Sequence, residues 1–472
     1  MNRLALFLVF AATMLASAAN SDESMIYPFT RELKVDAKQR IGHRWRPRET
    51  RVFTEHLSTA LQAETHSRYG GWIKFQSEGT GFFRTEQDRT GRWWLIDPDG
   101  HPFLSVGVNS VRANNTEQGR SQLVDIWGDR EKWAEHTRVL LEENGFNSLA
   151  GWSDIEAFRG KETLIPHTIV LNFMARYSTR TGQSKQGTGH RDYPDDLIPV
   201  FDPEFERFCH EDARRILERK DDPWIVGYFS DNEMPFPPDA LDRFLRRPEN
   251  DPGHSAARQW LAEREIQTGD LTDTVRAEFL HFMADRYFRI AGEAIRRVAP
   301  NHLYLGSRFH ARVLWSEPVI RAAGRHVDVL SFNWYAQWTP DRETMDNWTA
   351  WANRPFLISE FFAKAMDTGL ANTSGAGWIV KTQEDRAAFY QNFVMRLVQH
   401  PGCVGWHWFR YLDNDPRDTE PDPTNLDANK GIVDIRFRPY TTILEAMRLL
   451  NLRAYQLRMS GPALNGDRTQ NE

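Results

Sequence analysis

Cysteine is nearly absent from this chain of 472 residues, which contains only Cys209 and Cys403. A disulfide framework is therefore excluded. Two buried free thiols are favoured over a single bridge, because Cys209 lies in a helical segment and Cys403 begins an apolar strand. Blocks of lysine and arginine are also missing, and the net charge is −6. Nucleic acid and anionic membranes are therefore not expected as partners.

Long hydrophobic runs are missing beyond the N-terminus, so the sequence predicts no membrane span. The N-terminus itself has the pattern of an export signal. Arg3 is followed by an apolar stretch at 4–15 and by the small residues Ala16, Ser17 and Ala18. We expect residues 1–19 to be a signal peptide and the protein to be exported, to the periplasm or the medium. No cysteine lies near the cleavage site, which disfavours a lipid anchor.

Several motifs of catalytic chemistry are missing as well. The chain contains no HxH, no HExxH and no GxSxG, so zinc and serine-hydrolase chemistry have no anchor, and no metal or other cofactor is expected. An acidic stretch that includes Asp413, Asp415, Glu420 and Asp422 lacks the ligand spacing of a calcium loop. We interpret this stretch as a solvated acidic loop.

Strand-like and helix-like segments alternate along most of the chain. The eight predicted strands are 103–111, 147–152, 167–173, 224–229, 303–308, 327–335, 356–360 and 404–411. Amphipathic helical stretches are predicted at 130–144, 204–219, 272–299, 315–324, 383–400 and 441–457. Eight repeats of this kind predict an α/β fold, a (β/α)8 TIM barrel. A doubly wound open sheet is the alternative, but no glycine-rich phosphate turn follows the first strand at Gly107.

Two segments before the barrel differ from each other in their sequence pattern. Residues 20–69 are polar and weakly patterned and form an N-terminal extension, with a possible helix at 49–64. Residues 70–102 contain short aromatic strands at 71–74, 81–85 and 92–96 and a DPDG turn at 97–100. We expect a β-hairpin block that packs on the barrel and plugs its N-terminal end. The barrel should occupy 103–458, and 459–472 should be a disordered tail.

Two of the predicted strands end at a glutamate. The run IVGYFSDNE (225–233) ends at Glu233, and PFLISE (355–360) ends at Glu360. In a parallel barrel the fourth and seventh strands open on the same face, where barrel enzymes keep their catalytic groups. Two carboxyls in that position are the apparatus that cleaves a glycosidic bond. The alternative for each glutamate alone is a helix cap or an ion pair at the rim.

Other polar and aromatic residues fall at strand ends and are candidates for binding a sugar. They are Asn109, Asn232, Arg308, His310, Asn333, Tyr335, His407 and Trp408. His407 is most simply a hydrogen-bonded histidine, and Trp408 is either a platform beneath a sugar ring or a core residue. Four long inserts after strands, at 177–194, 235–270, 365–380 and 413–430, predict a walled cleft for an extended ligand.

At these motifs the chain resembles glycoside hydrolase family 50, the β-agarases, within the clan-A retaining barrels. The likeness begins at TGFFRTEQDRTGRWWLIDPDGHPFLSVGVNSV (80–111) and continues through GYFSDNE (227–233). It is closest over SEFFAKAMDTGLANTSGAGWIVKTQEDRAAFYQNF (359–393) and VGWHWFRYLDNDP (404–416), and NKGIVD (429–434) completes it. The resemblance covers most of the chain from about residue 70 to 440.

This resemblance implies a (β/α)8 barrel with Glu233 as acid/base and Glu360 as nucleophile. It also implies hydrolysis of β-1,4 links in agarose or its oligosaccharides, from a chain end. One alternative is a β-galactosidase-like exo-glycosidase that acts on another galactan or oligosaccharide. A non-catalytic sugar-binding barrel and a metal-dependent barrel hydrolase are alternatives of other classes.

Overall fold

The computed structural model describes residues 29–54, 63–113, 116–159, 165–187, 190–335, 337–418 and 425–460. Its strands are β1 (Thr30–Lys38), β2 (Arg46–Phe53), β3 (Arg84–Gln87), β4 (Trp93–Ile96), β5 (Pro102–Phe103), β6 (Ser105–Val108), β7 (Ser148–Leu149), β8 (His167–Val170), β9 (Lys185–Gln186), β10 (Arg191–Asp192), β11 (Ile225–Phe229), β12 (Leu303–Tyr304), β13 (Leu330–Asn333), β14 (Phe356–Phe361), β15 (Ala363–Ala365), β16 (Trp378–Val380) and β17 (Cys403–Trp408).

The α-helices are α1 (Glu117–Trp127), α2 (Arg130–Glu143), α3 (Ile155–Phe158), α4 (Phe173–Arg180), α5 (Pro203–Asp212), α6 (Ala240–Leu245), α7 (Pro252–Ala262), α8 (Asp273–Val298), α9 (Glu317–Gly324), α10 (Arg342–Ala352), α11 (Gln383–Gln399), α12 (Thr441–Asn451) and α13 (Ala454–Met459). Short 3-10 helices occur at Pro194–Asp196, Ala213–Arg219, Ala311–Trp315 and Met366–Thr368. Several helices begin at a residue whose side chain accepts a backbone N–H of the first turn, such as Asp129, Thr272 and Asp341.

Eight parallel strands form one curled sheet in the order β12-β11-β8-β7-β6-β17-β14-β13. All eight predicted barrel strands are present in it. The segment after β12 is joined to β13, because Phe309 N–H donates to Ser331 O at 2.8 Å and Asn333 N–H donates to Phe309 O at 2.7 Å. The fold is therefore α/β with a curled parallel sheet, as the alternation predicts.

The residues predicted to form a plug lie at the amino-terminal end of this sheet. Strands β3, β4 and β5 form a three-stranded antiparallel sheet. Aromatic side chains from this block, including Phe83 and Phe103, form one buried cluster with Val226, Leu305 and Val404 from the large sheet. The aromatic residues therefore fill the end of the sheet opposite the strand-end glutamates. The predicted strand at 71–74 is reduced to a bridge between His66 and Trp72.

The N-terminal extension is more ordered than its polar sequence predicts. Strands β1 and β2 form an antiparallel hairpin, and β1 also pairs with β16, which follows the seventh strand of the large sheet. The helix predicted at 49–64 is wrong over Glu49–Phe53, because these residues belong to β2. Residues 55–62, 1–28 and 461–472 lie outside the described part of the chain, and Met459 belongs to α13.

Cys209 and Cys403 are both buried and form no disulfide, as predicted. None of the described helices is long and apolar enough to cross a membrane. The insert 235–270 contains helices α6 and α7, and α10 was not predicted.

Candidate active site

The two glutamates lie in one buried hydrogen-bonded cluster at the carboxyl edge of the sheet. Glu360, in β14, accepts hydrogen bonds from the guanidinium of Arg308 and from the hydroxyl of Tyr335. Glu233, after β11, accepts one from the side-chain amide of Asn333 at 2.7 Å. Arg308 also donates to Asn232 Oδ1 at 2.9 Å, which links the fourth-strand segment to the seventh strand. The structure therefore brings together the two residues that sequence spacing selected.

Backbone conformation at this edge is unusual. Ser110, Trp152, Asn172, Glu233 and Arg308 each follow one of the first five strands of the sheet in chain order, and each has a positive φ, between 51° and 61°. The left-handed region is unfavourable for residues with a Cβ and typically persists where surrounding contacts hold it. Such strain clusters at functional sites, and here it lies at the edge that carries the glutamates.

The two carboxyls have different electrostatic surroundings. Burial raises the pKa of Glu360 to about 7, against the lowering effect of the Arg308 guanidinium, and the negative charge of Glu233 adds to the rise. Burial also raises the pKa of Glu233, and the Asn333 hydrogen bond opposes that rise. Glu360 has a guanidinium and a hydroxyl as donors, whereas Glu233 has a neutral amide. These donors stabilise the anion more strongly at Glu360 than at Glu233.

His310 completes the surroundings of Glu233. Its Nδ1 lies 3.7 Å from Glu233 Oε1, and its ring packs edge-on against Tyr335 with 5.5 Å between ring centroids. Burial lowers the pKa of His310. His190, from the insert after the third strand, lies 4.0 Å from Glu233 Oε2. Glu233 is thus flanked by two imidazoles that sequence analysis did not place together.

Asn109 and Arg308, predicted to bind substrate, are fully buried beneath the cluster. Asn109 Oδ1 accepts from Arg308 at 3.2 Å, and Asn109 Nδ2 donates to Ser359 O at 2.9 Å. These contacts hold the guanidinium against Glu360. In this geometry the two residues orient a carboxylate rather than line the cavity.

His407 and Trp408 lie away from the cavity. His407 is fully buried on the inner side of the sheet, with Nε2 2.9 Å from Ser105 Oγ, as a hydrogen-bonded histidine. Trp408 is also fully buried, and its ring packs against Phe361 and Tyr390. Alternate strand residues share a face, so Trp406 and Trp408 both contact α11 through Tyr390. The position of Trp408 corrects its prediction as a sugar-binding residue; the core alternative describes it.

A cavity of about 730 Å³ opens beside the cluster. Asn232 lines it, together with Trp152, Asn172, His190 and Phe409. Asn232 Oδ1 already accepts from Arg308 and from Asn333 Nδ2, which leaves its Nδ2 group as the donor that can face a ligand. Trp152 ends the second predicted strand. The same reasoning that selected other polar and aromatic residues at strand ends would therefore have selected it. The insert 177–194 supplies His190, as the predicted cleft wall requires.

The interpretation of the acidic stretch after the eighth strand as a solvated loop is wrong for its two described aspartates. Asp413 and Asp415 are buried, and Asp413 accepts from Asn429, from Gly431 N–H and from the Tyr440 hydroxyl. Glu420 and Asp422 lie outside the described residues. Because Asp413 joins the chain before and after this loop, it stabilises one wall of the cavity.

One group of possible metal ligands occurs among the described residues, at Glu206, His210 and Glu293, with ligand atoms within 4.8 Å of one another. It lies on helices α5 and α8, away from the strand-end glutamates. Arg289 lies 3.5 Å from Glu206 and 2.9 Å from Glu293. The guanidinium therefore already balances both carboxylates.

Comparison with known proteins gives relatives of one kind. No protein-family model matches the chain. Beta-agarase B and Beta-agarase A of Vibrio sp. strain JT0107 are 26% and 25% identical to it over 85% and 79% of this chain. The alignments cover 51% and 46% of those proteins, so the chain spans about half the length of the curated relatives it matches.

Solved structures agree with this. The crystal structure of BpGH50 has a TM-score of 0.79 and 28% identity, covering 91% of this chain and 95% of that chain. The agarase AgWH50C, at 24% identity, has a TM-score of 0.69 and covers 85% of this chain and 68% of that chain. An exo-beta-agarase, at 23% identity, has a TM-score of 0.68, with 84% and 68% covered. The chain is thus similar to β-agarases and shares the fold of GH50 structures.

Proposed function

We propose that the protein is a retaining glycoside hydrolase of family 50 that cleaves β-1,4 links of agarose or agaro-oligosaccharides. The observation that carries this proposal is the meeting of Glu233 and Glu360 in one buried cluster. The names of the relatives and the match to BpGH50 support the reaction class and the substrate. The proposal includes a closed (β/α)8 barrel, which the hydrogen bonds between the segment after β12 and strand β13 support.

The mechanism follows from the unequal surroundings of the two carboxyls. Glu360, held as the anion by Arg308 and Tyr335, attacks the anomeric carbon. Glu233, which is buried and whose hydrogen-bond donor is the neutral amide of Asn333, keeps its proton and gives it to the leaving oxygen. A water, deprotonated by Glu233, then releases the sugar from Glu360 with the original anomeric configuration.

Exo action and export are part of the proposal. The inserts that wall the cavity, including the β9–β10 pair and the loop after β17, suit an end-binding pocket. Export rests on the sequence pattern at residues 1–19. A related candidate keeps the chemistry but acts on another galactan. The arginine and lysine side chains that line the cavity favour this candidate.

The test compares Glu233→Gln and Glu360→Gln with wild type on neoagaro-oligosaccharides of defined length. Each variant should lose at least about a thousandfold in kcat while its circular dichroism stays unchanged. Glu278→Gln, an exposed glutamate on α8, is the matched control and should keep full activity. Early NMR spectra of the product should show the β-anomer first.

The roles of the two glutamates can be separated with an aryl glycoside whose leaving group needs no proton. Azide, which requires no general base, should restore turnover of Glu233→Ala and form a β-glycosyl azide. In Glu360→Ala azide can take the place of the missing carboxylate and attack the glycoside directly, so a glycosyl azide formed by that variant should have the α configuration. Near-wild-type turnover in either Gln variant would end the proposal, and sugar binding by a wild-type protein that releases no product would favour the non-catalytic alternative.

A further inference from the structure

The cavity beside the glutamates has an unusual charge. Permanently cationic side chains line two of its walls: Arg176, Arg180 and Arg191 on one, and Arg112, Arg410 and Lys430 on the other. The first wall comes from α4 and β10, after the third strand of the sheet, and the second from segments after the first and eighth strands. No aspartate or glutamate lines the cavity within the described part of the chain. The whole chain carries a net charge of −6, so this positive charge is a local arrangement.

Some of these charges already have acidic neighbours. Arg176 lies 3.0 Å from Asp212, and the charges of Asp418 and Asp154 act on Arg112. Arg180 and Arg191 differ from these two residues. Neither forms an ion pair with a carboxylate in the part of the chain that the structure describes. The Arg180 guanidinium instead lies over the Phe208 ring, 4.5 Å from its centroid. Phe208 also lines the cavity, so this stacking holds the guanidinium at the wall.

The opposite wall brings a cation close to the reacting groups. Lys430 Nζ lies 4.8 Å from the Phe362 ring centroid and 5.4 Å from that of Phe409, and its side chain is buried. Its charge lowers the pKa of Glu233. The positive charge of the cavity lining therefore acts on Glu233, the proposed acid.

A neutral galactan offers these cations hydroxyl groups only. Guanidinium groups bind sulfate and carboxylate groups with two parallel hydrogen bonds, and a cleft lined by one sign of charge concentrates ligands of the other sign. Two groups of cations that line one cavity therefore fit a sugar chain that carries negative charges.

We infer that the substrate is an anionic galactan oligosaccharide, whose sulfate ester or uronate groups bind the wall formed by Arg180 and Arg191. This inference rests on the proposed glycosidase chemistry and, for the substrate, favours the related candidate, another galactan, over neutral agarose. The negative group would occupy a position next to the cleaved sugar, because the cavity adjoins the glutamate cluster through Asn232.

The test measures kcat/KM for agar-type oligosaccharides of equal length in three forms: neutral, 6-O-sulfated and uronate-containing. Wild type should prefer at least one anionic form over the neutral one by about tenfold or more. Raising the salt concentration from about 0.05 to about 0.5 M should raise KM for that form and leave KM for the neutral form unchanged. The sulfated and uronate arms distinguish the two sources of negative charge.

The double variant Arg180→Gln/Arg191→Gln should reduce the preference for the anionic form about tenfold. Arg214→Gln, which removes one exposed arginine outside the cavity, is the matched control and should keep the preference. A wild-type enzyme that prefers the neutral form, or a double variant with unchanged preference, would overturn the inference. If wild type cleaves none of the three, the proposed function fails. Calorimetric titration of the anionic and neutral forms then decides the inference separately, and equal binding contradicts it.

Discussion

At the scale of single residues, Arg308 organises the candidate site. It contacts Asn109, Asn232, Ser359 and Glu360, and its guanidinium lies 4.3 Å from the centroid of the Trp152 ring. A buried arginine of this kind needs every neighbour in place, because removal of one partner leaves a charge without compensation. In the proposed mechanism Glu360 reacts as the anion, and that state depends on residues from several strands.

Tyr335→Phe should lower kcat about tenfold to a hundredfold while the fold is kept, because the hydroxyl donates directly to Glu360. Loss of that donor destabilises the carboxylate and raises its pKa. Since Glu360 must be deprotonated to attack in the proposed mechanism, the acidic limb of the kcat/KM profile should move to higher pH. Both effects are measured by steady-state kinetics between pH 4 and 9.

Tyr228→Phe is the matched control for this substitution. The Tyr228 hydroxyl is buried and has no hydrogen-bond partner in the described parts of the chain. Its removal should leave activity unchanged and leave stability equal or slightly higher. An unchanged kcat in Tyr335→Phe would show that the hydroxyl does not act on the nucleophile.

His407 makes stability depend on pH. Burial lowers the pKa of His407 to about 3, and the Arg308 charge contributes. The unfolded chain takes up this proton near pH 6.5 while the folded chain does not, so the contribution to stability is lost as pH falls below about 6.5. Between pH 7 and 4.5, wild type should lose about 2–3 kcal/mol more than His407→Gln in chemical denaturation. Parallel curves for the two proteins would contradict this assignment.

At the scale of elements, close strand contacts decide where glycine is required. A Cβ at Gly405 in β17 would lie 2.3 Å from Ser105 O and 2.8 Å from Leu357 Cδ1, whereas nothing lies within 4 Å of a Cβ at Gly269. The first contact is with backbone of the neighbouring strand β6, which cannot move without breaking the sheet.

Gly405→Ala should therefore lower the free energy of unfolding by more than about 2 kcal/mol or prevent folding. Gly269→Ala should leave it unchanged or raise it by about 0.5 kcal/mol, because alanine restricts the unfolded chain. Urea denaturation followed by tryptophan fluorescence measures both. Equal stability of the two variants would mean that the strands tolerate a wider spacing than the structure shows.

The hairpin of β1 and β2 shows why an element can escape sequence analysis. Its exposed face is polar, and its partners are β16 and α11, where Asn392 accepts from Arg51 N–H at 2.9 Å and Gln391 accepts from Phe53 N–H at 3.0 Å. These partners lie about 340 residues further along the chain. A short half-exposed strand stabilised this way carries little local signal.

At the scale of the whole molecule, the two ends of the curled sheet have different roles. The amino-terminal end is closed by the aromatic block and the carboxyl end holds the glutamates and the cavity. In (β/α)8 barrels, residues at the amino-terminal end contribute to stability and those at the carboxyl end to chemistry.

Phe103→Ala should accordingly lower the free energy of unfolding by about 3–5 kcal/mol, because the ring is fully buried in the plug. At a temperature where the variant is still folded, its kcat should stay within about twofold of wild type. Phe75→Ala, whose ring is 48% exposed, should cost less than about 1 kcal/mol. A large loss of kcat in folded Phe103→Ala would show that the plug and the site are coupled.

The sequence by itself determined the alternation of strands and helices, the plug and the two glutamates. These depend on where apolar runs begin and end, and that pattern is local. Only the tertiary structure decided that Arg308 pairs with Glu360, 52 residues away, that Trp408 faces α11, and that scattered arginines meet in one cavity. Such features arise from contacts between segments far apart in the chain, and no local spacing encodes which side chains will meet there.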